Sequence, residues 1–528
     1  MTSRKANAAA RHLVLLLHAH LPDCRRPDEP DSLEETWFFG ALMESYLPIA
    51  RMLERLEREG IAVRLTLSLS PTLICMLQDP ALRDRFRRRL AATEQLARRD
   101  AREAQCQLRH VAEWHAGFFQ EIGRFFDQQC GGDLLRFFGQ QHAAGRLELA
   151  TTAATHAFLP AHQAHPARVR AQIGVGLDVF FKAFGFRPDF FWLPECGYYP
   201  GLDDILASFG VRAFALESHG ITRARPPPSS GRTPIRCPSG ILALGRDTEL
   251  SRLVWSAPGG YPGHPDYREF HRDRIHTVDE AALTACLGGT ARRLPTGLKY
   301  WRVTGPHQEK AWYDPAAAAG RACEHAKDFL QRLGAAPEGH GIWFVPFDAE
   351  LFGHWWFEGP IWLEELFRLL PHEPRIAAET VTPAVEASTA HVGRPAPSSW
   401  GEAGDYSYWI NSDTAWLYPQ LDETARRFEA LLARFGHEAP AGLAGRTLRQ
   451  ASRTLLLAQA SDWPFLIRAG TAREAAVAQV GGLLSRCARL CDELEAGAPT
   501  EATLRRCESL DRAFPSLDLR HFQPRSGW

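Results

Sequence analysis

Two acids stand where short apolar runs stop, and their positions set the first chemical question. Glu195 lies in FFWLPECGYYP (190–200), where an aromatic run halts at Pro194, and Asp348 closes IWFVPFD (342–348). A carboxylate at the end of a buried run is costly unless it is hydrogen-bonded or functional. The bland role for Glu195 is a cap on a following helix. Glu350, two residues past Asp348, reads as a helix-start acid. Two acids on separate strands of one sheet suit sugar chemistry. Glycoside cleavage with retention uses a nucleophilic carboxylate and an acid/base carboxyl about 5–5.5 Å apart, and inversion uses a wider pair.

His18 and His20 in HAHLP (18–22) project to one side of an extended chain, since strand side chains alternate. Such a pair can bind a metal, hydrogen-bond a substrate hydroxyl or cap a polar pocket. No further carboxylate and histidine set stands at ligand spacing, so no metal site is expected. His156 in ATHAFLP, taken alone, reads as a satisfied buried histidine. Both acids have aromatic escorts: Trp192 and Tyr198 beside Glu195, Trp355 and Trp356 beside Asp348. Trp400 and Trp409 lie in the glycine-containing SSWGEAGDYSYWIN (398–411), a stretch too irregular for an ordinary packed element. Aromatic faces fill cores, but they also stack on the apolar faces of sugar rings.

These residues need elements to hold them. Apolar runs at 13–17, 62–69, 147–150, 190–193 and 342–347 each end in polar or turn residues, with helix-like stretches between them at 46–59, 80–140 and 166–184. That alternation predicts an α/β fold of parallel strands with crossover helices, in which ligand groups gather at the carboxyl ends of the strands. The arginine-rich stretch 80–140 reads as a helical insertion. The turn-rich stretch containing PPPSSGRTP, CPSG and GGYPGHPDY reads as an irregular inserted subdomain, 201–275. Beyond residue 395, DETARRFEALLARF and RTLRQASRTLLLAQA carry apolar residues at three and four spacing, which predicts a C-terminal helical domain over 396–528. Residues 10–200 and 276–395 are left for the catalytic domain.

The bulk numbers narrow the function further. A chain of 528 residues exceeds one ordinary core. A net charge of −1 argues against nucleic acid as the main partner. The apolar run at the amino terminus stops at His18, far short of the roughly 20 residues of a membrane span. Eleven cysteines without a C-x-x-C pair fit reduced thiols, and the chain reads as cytoplasmic, without a membrane partner.

Taken in order, HAHLP, ATHAFLP, WLPECGY (192–198), PFDAELFGHWWFEGP (346–360) and SSWGEAGDYSYWIN resemble the five signature regions of glycoside hydrolase family 57, and are most similar to its 1,4-α-glucan branching enzymes. WSAPGGYPGHPDYREFHRD (255–273), GLKYWRVTG (297–305) and SDWPFLI (461–467) extend the resemblance, which runs from about residue 12 to FPSLDLRHF near the carboxyl terminus. It implies an incomplete (β/α)7 barrel with an inserted subdomain and an all-helical C-terminal domain. It also implies a retaining mechanism without metal or organic cofactor, acting on an α-1,4-glucan, in a monomer or weak homo-oligomer. By the motifs, Glu195 is then the nucleophile and Asp348 the acid/base. His18, His20 and His156 hydrogen-bond the sugar at the cleavage point, and Trp37, Trp255, Trp400, Trp409, Asp462 and Trp463 line the glucan cleft.

One stretch departs from the family pattern. Similar enzymes often carry, between SHG (218–220) and CPSG (237–240), a flexible loop with a tyrosine at its tip that shields the intermediate from water. Here it reads ITRARPPPSSGRTPIR and contains no tyrosine. That keeps two rivals on the same scaffold in play, an α-glucan hydrolase and a 4-α-glucanotransferase. A metal-dependent hydrolase or deacetylase built on His18 and His20, and a silent glucan-binding protein, are the readings from other classes.

Overall fold

A computed structural model describes residues 11–29, 32–279, 294–305, 308–336, 341–436 and 441–523. Its frame is a sheet of ten strands: β1 (Arg11–Ala19), β2 (Leu65–Leu69), β3 (Leu147–Thr151), β4 (Phe190–Phe191), β5 (Ala213–Leu216), β6 (Ile235–Arg236), β7 (Leu242–Gly245), β8 (Ile342–Asp348), β9 (Ile376–Glu379) and β10 (His391–Val392). Runs such as VLLL and LTLSL are apolar at consecutive positions, which suits strands covered on both faces by helices. Seven strands run parallel as neighbours in the order β7-β5-β4-β3-β2-β1-β8. A single parallel bridge between Arg246 and Phe344 then joins the end of β7 to β8. The sheet thus curls into a barrel of seven strands held at its seam by one bridge, as the resemblance implies. β9 pairs with Arg11–Val14 of β1, on the edge that β2 occupies further along at Leu16–Ala19.

The proline-rich stretch is sewn along that seam. The Ile342 N–H donates to the Arg232 carbonyl at 2.9 Å, and Arg225 exchanges two backbone hydrogen bonds of 2.9 Å with Arg394. β6 pairs with both β7 and β10, and the Arg232 guanidinium donates to Asp247 at 2.8 Å while lying over the Trp343 ring. Residues 222–236 therefore fill the gap where β7 and β8 part, a structural task that a free-standing cover loop does not have. The boundary expected at residue 201 shifts for the same reason. β5 and β7 both fall within 201–275 and belong to the barrel, because their apolar runs AFAL and LALG are buried in its sheet. The irregular portions are the seam stretch between Thr222 and β7 and the stretch beyond helix Thr248–Trp255.

The insertion after β2 consists of two long helices, Pro80–Glu103 and Cys106–Arg124. Asp79 caps the first by accepting from the N–H groups of Ala81 and Leu82. Beyond β10 the chain forms helices Leu417–Phe435, Leu443–Ala458, Asp462–Ala469, Arg473–Glu495 and Glu501–Leu510 around a second core, into which the barrel side contributes Cys75, Ala154, Ala171 and Val175. This helical unit is tied to the barrel by the Thr155 hydroxyl donating to the Leu456 carbonyl at 2.7 Å. A second tie is Arg168, buried between Asp422 and Glu429.

The loop after β8 is braced from below. Glu44, fully enclosed, accepts from Arg268 at 2.6 Å and contacts His354 Nδ1 at 2.6 Å. Gly353 crosses this brace with φ +113°, and a Cβ there would sit 1.6 Å from the Glu44 carbonyl oxygen. Gly353→Ala is expected to destabilise the protein by about 3 kcal/mol, through strain and the displaced brace. The midpoint of urea unfolding measures this, and an unchanged midpoint would show the loop to be freer than its contacts imply.

Candidate active site

β1, β3, β4 and β8 deliver their carboxyl-terminal polar residues to one end of the barrel. The pairing of β1 with β8 sets His18 directly opposite Asp348. The chain leaving β3 brings in His156 and that leaving β4 brings in Glu195. His156 (φ 53°), Glu195 (φ 60°) and Cys196 (φ 49°) all have left-handed backbone. Non-glycine residues avoid that region, so the surrounding structure must enforce it; such positions cluster at functional sites.

The three histidines stack: ring centres are 5.9 Å apart for His18 and His20, 4.9 Å for His18 and His156, and 4.1 Å for His20 and His156. Trp192 covers the outer face of His18 at 5.1 Å, and Trp400 leans on Trp192. Each histidine has one nitrogen engaged. His18 Nδ1 meets the Ser68 hydroxyl at 3.1 Å, His20 Nε2 meets Asp462 at 3.1 Å, and His156 Nδ1 meets the Ser461 hydroxyl at 2.9 Å. The other ring nitrogen of each makes no hydrogen bond with the described residues. Burial, followed by the neighbouring histidines, holds His18 and His156 well below the usual imidazole range, so both are neutral. Burial also disfavours charge on His20, but the Asp462 carboxylate outweighs it, with Glu350 and Glu195 adding to the effect, and raises its pKa. Of the three rings, His20 is the one whose surroundings favour the charged form.

The two acids sit in different surroundings. Glu195 accepts from the Trp400 indole N–H at 2.7 Å and from the Ser461 hydroxyl at 2.9 Å, both of which favour its ionised form. Burial pushes the other way and leaves its pKa raised. Asp348 receives no hydrogen bond on its carboxyl from the described residues, and burial together with the negative charges of Glu350 and Glu195 pushes it up to about 8. One carboxyl is thus arranged to accept hydrogen bonds as an anion, the other to hold a proton near neutral pH. Arg246, paired with Glu217 at 3.0 Å and lying near the Trp400 ring, is the remaining cation facing Asp348.

The site's aromatic residues divide by exposure. Trp255 ends its helix 56% exposed, and Trp400 is partly open beside Glu195. Trp37 and Trp463 line one small recess with Pro22 and Leu466, although Trp463 is itself buried with its N–H on the Leu457 carbonyl at 2.8 Å. Trp409 departs from the expectation of a cleft-lining ring. It is 1% exposed and stacked on Phe158 at 4.5 Å, because its irregular loop folds back on itself and packs a small core of its own. Trp355 and Trp356, the aromatic pair that follows Asp348, separate: Trp356 is buried, while Trp355 stands 55% exposed against Phe270.

Glu350 stands in the first turn of the short 3-10 helix Ala349–Leu351, as expected of a helix-start acid, but its side chain does more: it accepts from the His20 N–H at 3.0 Å and from the Tyr46 hydroxyl, and burial pushes it up to about 7. The metal-hydrolase reading finds no ligand set, since no group of three His, Cys, Asp or Glu among the described residues is arranged to hold an ion.

The family profile described as glycosyl hydrolase family 57 matches residues 14–391. The chain belongs to glycosyl hydrolase family 57. A second profile, the C-terminal domain of 1,4-alpha-glucan branching enzyme, matches residues 420–522. Among family members, a 1,4-alpha-glucan branching enzyme of Thermococcus kodakarensis is 30% identical over 512 residues, 89% of this chain and 71% of that one. A probable 1,4-alpha-glucan branching enzyme of Mycobacterium tuberculosis is 30% identical over 507 residues, 87% of this chain and 88% of that one. Two solved structures superpose over nearly the whole chain. The alpha-amylase AmyC from Thermotoga maritima does so with a TM-score of 0.88 at 34% identity, covering 97% of this chain and 99% of its own. The GH57-type branching enzyme from Pyrococcus horikoshii gives 0.86 at 28% identity, covering 98% and 97%.

Trp400→Phe keeps the ring and removes the donor to Glu195. Because that hydrogen bond lowers the Glu195 pKa, its loss should raise it and move the low-pH limb of kcat/KM upward by about one pH unit. A pH–rate profile on amylose measures the limb, and an unmoved limb would separate Trp400 from the ionisation of Glu195.

Proposed function

We propose that this family 57 protein is a 1,4-α-glucan branching enzyme that cleaves an α-1,4 bond and transfers the released chain to a 6-hydroxyl. Glu195 attacks the anomeric carbon while Asp348 gives its proton to the departing glycosidic oxygen, leaving a glycosyl ester on Glu195. The ester removes the Glu195 charge, so Asp348 ionises more easily and takes the proton of the incoming hydroxyl as that oxygen displaces Glu195. The free nitrogens of His18, His20 and His156 offer hydrogen-bond partners for hydroxyls of the sugar between them. Asp462 sets the charge on His20, and Trp37, Trp255 and Trp400 supply faces for the glucan chain.

The observation that carries this reading is the origin of Ser461 and Asp462. Both come from the C-terminal helical region, of which residues 420–522 match the branching-enzyme profile, and they contact Glu195, His156 and His20 directly. The helical domain is thereby part of the catalytic constellation. Ten free cysteines among the described residues accord with a reducing, cytoplasmic setting.

A second reading, hydrolysis of the same polymer, is favoured by the proline-rich stretch. It has no tyrosine and is tied to the barrel seam at Arg225 and Arg232, so a water-excluding cover from this segment is not part of the site. The same ester serves both outcomes, and access of water decides between them.

Incubation with amylose separates the two. New 1,6 linkages, read as short chains after debranching, should outnumber new reducing ends; reducing ends rising alone would assign the protein as a hydrolase. Glu195→Gln should lower both products by at least about 10³-fold while amylose binding by affinity electrophoresis persists. Turnover near the parent level would remove Glu195 from the nucleophile role.

A further inference from the structure

Glu350 is the carboxyl at this strand end that the two-acid reaction leaves unused. Its Oε1 accepts from the backbone N–H of His20 at 3.0 Å and from the hydroxyl of Tyr46. Its carbonyl oxygen accepts from the N–H groups of His354 at 3.2 Å and Trp355 at 3.1 Å. Tyr46 is the last residue of a π-helical turn, Leu42–Tyr46, a rare widening of a helix that often marks functional positions. One residue therefore joins the end of β1, the π-turn and the loop after β8. A backbone N–H and a tyrosine hydroxyl can be satisfied by a neutral acceptor. A carboxyl placed two residues from Asp348, in a pocket that already holds Glu195, raises like-charge repulsion that an amide would avoid.

We propose that Glu350 is a positioning residue whose negative charge keeps Asp348 protonated until the glycosidic bond breaks, and whose Oε1 fixes the end of β1 so that His20 stands against the nucleophile. This rests on the reading of Asp348 as acid/base. The charged groups facing Asp348 are Glu350, Glu195, His20 and Arg246, with neutral His18 opposite it on β1. Those facing Glu350 are Asp348, Tyr46 and His20, and His20 in turn is paired with Asp462. Before cleavage, ionising Asp348 would add a third anion beside Glu350 and Glu195, so the proton stays. Asp348 passes its proton to the leaving oxygen as the bond breaks; once Glu195 is esterified its charge is gone and Glu350 and Asp348 are left facing each other with His20 close by, so Asp348 stays ionised and can act next as a base. Burial together with Glu350 and Glu195 pushes Asp348 up to about 8, whereas burial alone raises Glu350, to about 7, against the hydrogen bonds from Tyr46 and the His20 N–H that favour its ionised form.

Glu350→Gln retains size and an acceptor oxygen for His20 and Tyr46, so it removes the charge alone. The high-pH limb of kcat/KM, measured by loss of amylose–iodine colour, should move to lower pH by about one unit, while the low-pH limb set by Glu195 stays. Tyr46→Phe, which removes a donor that favours ionised Glu350, should move the same limb in the same direction by less, and serves if Glu350→Gln does not fold. Uniformly slower turnover with both limbs in place would reduce Glu350 to a brace, and an unchanged enzyme would make it a bystander; either overturns the proposal. Asp348→Asn tests the parent reading separately. Activity that survives that substitution removes Asp348 as acid/base, whatever the Glu350 variant does.

Discussion

Like charges at close quarters govern this molecule. Glu195, Asp348 and Glu350 share the carboxyl-terminal mouth of the barrel, against Arg246, already paired with Glu217, and His20, whose charged form Asp462 favours. Three anions in a poorly hydrated pocket repel one another by several kcal/mol, so at least one proton must be shared among them. Hydrogen bonds decide where it resides. Trp400 and Ser461 favour the ionised form of Glu195, Tyr46 and the His20 N–H favour ionised Glu350, and Asp348, with no donor of its own, retains the proton.

The architecture supplies each of those donors from a different part of the chain. Register between β1 and β8 brings His18 opposite Asp348, and left-handed backbone at Glu195 and His156 turns both toward the centre. The helical domain, fixed to the barrel through Thr155 and Arg168, brings Ser461 and Asp462 across the mouth. The Glu44, Arg268 and His354 brace fixes the loop that carries Glu350. The seam between β7 and β8 is closed by a proline-rich stretch instead of more strand pairing, which gives that stretch a structural role in place of the shielding one that the tyrosine-tipped loop has in similar enzymes.

Much of this was legible in the residues. Apolar runs ending in HAHLP, WLPECGY and PFDAE announced parallel strands that carry polar ends, and three and four spacing beyond residue 395 announced the helices. Short strands hid within turn-rich sequence: AFAL and LALG are four residues each and were absorbed into the expected subdomain. Trp409 misled because irregular backbone was equated with exposure, whereas its loop packs around the ring. Glu350 was underread because its partners, Tyr46 and the His20 N–H, lie more than 300 residues away and periodicity carries no trace of them. Ser461 left no signal beyond its place beside Asp462 in SDWPF.

The central claim is that Glu195 carries the sugar while Asp348 handles the proton. A 5-fluoro-α-glucosyl fluoride forms glycosyl esters that turn over slowly, so peptide mass mapping after brief incubation reads the nucleophile directly. The account predicts a glycosyl mass on the peptide containing Glu195, lost on addition of a glucan acceptor. A label on Asp348 or Glu350, or no label together with products of inverted anomeric configuration, would contradict it.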